Sequence, residues 1–226
     1  MCFSARASLG VAVALLPAGA YCLAMAWRKD RRYLPLAAVP VLFGLQQLCE
    51  ARVWAGLDLG DPGLARVPSL AFLFFALVVW PVWVPLAVAA VEPRGRKRLA
   101  LIAVAMVGAA VGAAYYLPVA ADGGRGRGPA VVGHSVRYDF SGVPAAAGWA
   151  WPALYLVTAC GPLLASRDRH LRPLGVGVAV AAVASYLLFE YAVASVWCFL
   201  AAILSAYLAY PLYTLPESPP GLAAPA

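Results

Sequence analysis

The sequence predicts an all-α integral membrane bundle of seven transmembrane helices, and three observations lead there. Of the 226 residues, 64% are hydrophobic, well above the roughly half expected of a soluble domain. Mean hydropathy is +0.81. The apolar residues also fall into runs of about 18–24, the length a bilayer core requires, separated by short loops rich in Arg and Lys. The net charge of +7 does not point to nucleic acid. The basic residues sit in those loops, where they set membrane orientation.

The first span, 8–27, is followed by Arg28-Lys29-Asp30-Arg31-Arg32, a stop-transfer-like cluster, so it is expected to stay as a membrane helix. The second, 33–54, ends on FGLQQLCEARVW, which brings Gln46, Gln47 and Glu50 into an apolar helix. The third is 68–91. The fourth, 99–119, carries Gly108 and Gly112 at GxxxG spacing. The fifth, 149–166, is the shortest and holds Pro152 and Pro162. The sixth, 172–190, and seventh, 193–213, are joined by almost nothing and must form a tight helical hairpin. Gly177, Ala181 and Ser185 form a small-residue row, as do Ala194, Cys198, Ala202 and Ala206; such rows let helix backbones approach closely. Trp80, Trp83, Trp149 and Trp151 read as interface aromatics, with Trp80-Pro81-Val82-Trp83 free to lie deeper. Residues 1–213 make one transmembrane domain. The Pro- and Ala-rich tail, 214–226, is expected to be disordered.

Loops 28–32, 92–98 and 166–172 hold most of the Arg and Lys and alternate with the others. By the positive-inside rule they are cytoplasmic, the N-terminus is outside and the C-terminus is cytoplasmic. The expected location is the cytoplasmic membrane of a bacterium, with the lipid bilayer as the main partner. The outer loop, 120–148, begins with the flexible DGGRGRG. From Val132 to Phe140 apolar and polar residues alternate, which predicts an extended segment with Val132, His134, Val136, Tyr138 and Phe140 on one face. Such a segment can lie over the bundle as a lid.

A carboxylate and two amides are costly in hydrocarbon and turn toward a bundle interior, a wet cavity or a partner. Glu50 shares a helical face with Gln46, Gln47 and Trp54. Under the predicted topology Cys2, His134, Glu190, Trp197 and Cys198 fall on the same outer side. At the inner face the polar residues are mostly loop Arg. The expected pocket is therefore Gln46, Gln47, Glu50, Trp54, His134, Glu190, Trp197 and Cys198.

Three stretches carry a resemblance: Met1-Cys2-Phe3-Ser4-Ala5; Gly44-Leu45-Gln46-Gln47 with Glu50, Val53 and Trp54; and Trp197-Cys198-Phe199 with Ala201, Ala202 and Ser205. Together they resemble a family of uncharacterised bacterial integral membrane proteins that begin MCFSA. Ala51 stands where a small residue, often Gly, follows the Glu. The resemblance implies a polytopic membrane protein, adds weight to Cys2, Gln46, Gln47, Glu50, Trp197 and Cys198 as a set, and assigns no activity.

The favoured function is binding or sensing of a small ligand or metal ion in this outer pocket. Cys2, His134, Glu50 and Cys198 are chemically fit for copper or zinc, although no pair has a local metal-site spacing. Cys2 and Cys198 could instead form a disulfide. The alternatives are a proton- or cation-coupled transporter built on Glu50, a redox role, or an intramembrane enzyme. An enzyme is disfavoured, because one outer His cannot supply a three-His centre. Each residue also has a plain reading: the amides as interhelical glue, Cys198 as a packing residue, Glu190 as a turn cap. A retinal Schiff base is excluded because Lys29 and Lys97 are in loops. There is no C-x-x-C pair and no phosphate-binding G-x-x-x-x-G-K-[ST].

Overall fold

The computed structural model of the chain describes residues 4–123, 128–138 and 150–216. Helix α1 is Ala5–Lys29. Ser4 caps it, its hydroxyl accepting from Ala7 N at 3.2 Å, which satisfies one of the open amides of the first turn. Asp30 ends the helix and folds back on Arg32. The next segment runs through a 3₁₀ turn at Arg31–Tyr33, α2 (Leu34–Ala37) and α3 (Val39–Asp58). Helix α4 is Pro62–Phe74. Asp61 caps it, accepting from Gly63 N at 2.8 Å and Leu64 N at 3.3 Å. This Asp-Pro start signal explains why the third segment begins before the expected position 68.

A π-helical turn, Phe75–Val79, connects α4 to α5, Trp80–Val91. Its cause is in the sequence. Pro81 has no N–H, so it cannot close a backbone bond to the preceding turn. Trp80 N–H bonds back to Phe75 O in the wider register. That leaves Ala76 O open, and the Tyr155 hydroxyl donates to it from another helix.

Helix α6 is Arg96–Ala121. Gly108 and Gly112 meet the same irregular stretch. A Cβ on Gly112 would lie 2.4 Å from Leu77 O, and one on Gly108 would lie 2.1 Å from Pro81 O. Leu77 and Pro81 are the residues four before Pro81 and Pro85, whose helical carbonyls no proline N–H can take. The four-residue glycine step on one helix therefore matches the four-residue proline step on the other.

Strands β1 (Ala130–Val132) and β2 (Ser135–Arg137) pair antiparallel, Val131 opposite Val136. Gly133 takes a positive φ of 59° in the turn, which a two-residue hairpin demands. Then follow α7 (Ala150–Ala165), α8 (Leu171–Leu188), a 3₁₀ turn at Glu190–Ala192, α9 (Val193–Ser205), a second 3₁₀ turn at Ala206–Leu208, and α10 (Ala209–Thr214).

Among the described residues six helical segments are long and apolar enough to cross a membrane: Ala5–Lys29, Arg31–Asp58, Pro62–Val91, Arg96–Ala121, Leu171–Leu188 and Glu190–Thr214. This is the signature of a helical membrane protein. The expected fifth span corresponds to α7, whose 16 residues make it the short one. The loop stretch 139–149 and most of the tail, 217–226, lie outside the described residues.

The basic loops gather at one end of the bundle. Tyr33 donates to Asp168 at 2.8 Å. Glu92 accepts from Arg167 N at 2.7 Å and Ser166 Oγ at 3.1 Å, and pairs with Lys97 at 3.0 Å. This corrects the expectation that this face offers little beyond loop Arg, since Glu92 is buried. Burial pushes its carboxyl up, but the Arg167 amide, Lys97 and Ser166 outweigh that and hold it below the usual carboxylate range. A depressed folded value means the knot contributes stability above the ordinary carboxylate pKa and loses it as pH falls through the folded value. In a thermal-unfolding series the wild-type chain is expected to lose more stability on acidification than Glu92→Gln. Equal losses would mean that Glu92 is not a linked group.

Candidate functional site

Three of the least expected residues for an apolar bundle are among its most deeply buried polar ones. Gln46 and Gln47 are 0% exposed and Glu50 is 1% exposed. They lie on the face of α3 that the rest of the bundle covers, the side to which their cost in hydrocarbon directs them.

Each is hydrogen-bonded inside the bundle. The Trp80 indole donates to Gln46 Oε1 at 2.8 Å, and Phe43 stacks on that indole with ring centroids 3.8 Å apart. Gln47 Nε2 donates to Glu50 Oε2 at 3.3 Å. Ser195 on α9 donates to Glu50 Oε1. Arg52, two positions along, is exposed, and among the described residues Glu50 has no ion pair. The buried carboxyl is held by an amide and a hydroxyl that both donate to it, not by a salt bridge.

The hairpin covers this cluster. Tyr138, directly after β2, is buried with its ring stacked on Phe72 at 4.7 Å and 9°. Its hydroxyl is pushed well above the usual phenol range, first by burial and then by Glu50, Cys198 and Cys49 nearby. It is therefore a neutral O–H group inserted against the Glu50 site. Val136 and Ser135 are also 0% exposed. Of the expected lid face, Val136 and Tyr138 are thus turned inward.

His134 does not follow. It sits in the tight turn with Gly133 and is exposed. Period-two counting through Val132–Phe140 assumed one continuous strand, whereas the chain reverses at Gly133, so the residue between the strands joins neither face. Glu190 is likewise exposed, in the 3₁₀ turn before α9. Both leave the expected pocket. Trp197 is buried, but its indole donates to Val178 O at 3.1 Å and its ring meets Tyr155 edge-on at 5.6 Å. It walls the bundle interior and does not bond the cluster.

Cys198 is buried and its thiol lies beside the Gln46 amide and within electrostatic reach of Glu50. Cys2 lies outside the described residues, so the Cys2–Cys198 pairing has no described geometry. Of the three expected metal ligands among the described residues, Glu50 and Cys198 come together and His134 does not. Among the described residues no group of three His, Cys, Asp or Glu is placed to hold a metal ion.

The remaining polar atoms decide what the site can do. Gln46 Nε2, Gln47 Oε1, Trp54 Nε1 and the Tyr138 hydroxyl are buried without a hydrogen-bond partner among the described residues. Native interiors hold few such atoms, and each left unmade costs about 1–3 kcal/mol. Three of these belong to residues within about one helical turn of Glu50 on α3, Gln46, Gln47 and Trp54, and the fourth to Tyr138, close enough to feel the Glu50 charge; Ser135 Oγ, in the same hairpin, is a fifth. The set mixes donors with an acceptor, which suits a small guest bearing both.

Trp80, Tyr138 and Ser195 are members the sequence reading did not place in the pocket. Tyr138 was legible as part of the lid. Ser195 is three positions before Cys198 and so on its helical face, a spacing that could have found it.

Residues 1–216 match a family of unknown function, DUF6629. The chain belongs to that family. No curated protein and no solved structure matches it. The resemblance read from MCFSA, the Gln46–Glu50 stretch and Trp197-Cys198 was thus to an uncharacterised family, and the match covers nearly the whole chain.

Proposed function

We propose that this chain is a seven-span, multi-pass protein of the cytoplasmic membrane, N-terminus outside and C-terminus inside, that binds or senses a small polar ligand at the Gln46–Gln47–Glu50 site. The carrying observation is the four unpartnered buried polar atoms on Gln46, Gln47, Trp54 and Tyr138, the first three within about one helical turn of Glu50 on α3. Connectivity supports seven crossings. Helix α6 ends on the side of the hairpin, and α8 begins after the basic Ser166–His170 loop. Helix α7 joins them, which favours a crossing by α7 despite its length. Three basic loops meeting at one end support an inward orientation for that end, which places the hairpin and Glu50 toward the outside.

Orientation is tested by single cysteines at exposed positions and a membrane-impermeant maleimide. Gly128→Cys is expected to label in intact cells, and Arg94→Cys only after permeabilisation. The reverse pattern would invert the topology. Ligand binding is tested by native mass spectrometry of the purified chain. A retained small-molecule mass, released in Gln46→Leu and Glu50→Leu, is the expected result. A wild-type mass equal to that of the bare chain would overturn the reading and leave the cluster as interhelical glue.

A further inference from the structure

A cavity lies deeper in the bundle than the polar cluster, among α3, α5, α7, α8 and α9. Its volume is about 60 Å³. Its shape follows from the positions that line it. On α5 they run from Trp80 to Ala87, about 10 Å of helix rise, and from Trp197 to Leu208 about 16 Å. Leu36 and Phe43 bound it along the facing segment. It is a slot parallel to the helices, not a rounded hole.

The slot presents carbon. Five lining residues carry a polar atom; one is the weakly polar Cys198 thiol beside the Gln46 amide, and the other four are already bonded away into the protein. Trp80 Nε1 donates to Gln46, Trp197 Nε1 to Val178 O, the Tyr155 hydroxyl to Ala76 O, and Ser205 Oγ to Ala202 O. A cavity with no free polar partner stays dry and favours an apolar guest. Val84, Tyr155 and Val178 in its wall are only half-buried, so the slot approaches the bundle surface between α5, α7 and α8. In segments built to cross a membrane, that surface faces lipid. A long, narrow, dry slot opening toward hydrocarbon fits one guest chemistry.

We propose that this slot binds a single hydrocarbon chain of a bilayer lipid. Trp80 and Phe43 close its upper end, with Cys198 between the slot and the Glu50 site. The slot borders the polar site through Trp80 and Cys198, but Gln46, Gln47, Glu50, Trp54 and Tyr138 do not line it.

The probe is spin-labelled stearic acid, added to the chain reconstituted in phosphatidylcholine vesicles and read by electron paramagnetic resonance. A saturable immobilised component, displaced by unlabelled stearate, is expected. Ala159→Phe and Ala201→Phe, from opposite walls, are expected to weaken it at least tenfold while keeping wild-type helical content and size-exclusion profile. Glu50→Gln is expected to leave it unchanged, so failure of the polar site and failure of the slot are separate results. A component that never saturates, or that persists unchanged in both Phe variants, overturns the proposal. Should either variant misfold, the other and the wild-type competition still decide.

Discussion

Gly112→Ala is expected to destabilise the bundle by more than about 3 kcal/mol, and Gly108→Ala by as much. A single methyl group has this effect because of what it meets. The added Cβ would fall 2.4 Å from Leu77 O at one site and 2.1 Å from Pro81 O at the other. Both neighbours are backbone carbonyls of a proline-bearing segment, not the flexible end of a side chain. Relief requires α6 to move away from α5 along the whole contact. Membrane helices lack a hydrophobic force between them, so close packing of this kind is a main source of their association. Gly10→Ala is the control. A Cβ at Gly10 would meet nothing within 4 Å, and in a helix Ala gains up to about 1 kcal/mol over Gly. Thermal unfolding in detergent reads all three. A Gly112→Ala shift no larger than that of Gly10→Ala would show that the helices do not meet as described.

Those glycines also show how much of the fold was legible. Gly108 and Gly112 announced a close helix contact, but not its partner. The partner is fixed by Pro81 and Pro85, whose matching spacing becomes meaningful only once the two helices are side by side. The polar cluster was legible for a stronger reason. Two amides and a carboxyl in an apolar run are too costly to face lipid, so Gln46, Gln47 and Glu50 had to point inward. Which atoms they would meet was not legible. Trp80 lies 34 residues from Gln46, and Ser195 lies 145 from Glu50. His134 and Glu190 were placed by topology alone, on the correct side of a predicted loop or turn. Side is a coarse coordinate, and a tight turn exposes whatever residue occupies it. Cys198 and Trp197 are adjacent in sequence and both line the apolar slot, yet Cys198 also touches the polar cluster, because neighbouring helical positions face different ways.

Glu50 separates the structural and ligand-binding roles of the cluster. Glu50→Ala removes the acceptor of both Gln47 Nε2 and Ser195 Oγ and leaves a hole between α3 and α9. Hydrogen bonds between membrane helices are worth roughly 0.6 kcal/mol on average and up to about 1.7. The interhelical bond from Ser195, the bond from Gln47 within α3 and the hole together give an expected loss of about 2–4 kcal/mol. Glu50→Gln keeps the volume and one acceptor oxygen. Its amide can also turn an N–H toward Gln47 Oε1, which now has no partner, so the expected change in stability is under about 1 kcal/mol. A structural role predicts that Glu50→Gln behaves as wild type in every respect. A binding role predicts that it folds as wild type but retains no small-molecule mass, because the amide cannot offer a ligand the carboxyl group's pair of oxygens. A Glu50→Ala variant as stable as wild type would remove the first role. A Glu50→Gln variant that holds the same mass as wild type would remove the carboxyl group from the second and pass the ligand to Gln46, Trp54 and Tyr138.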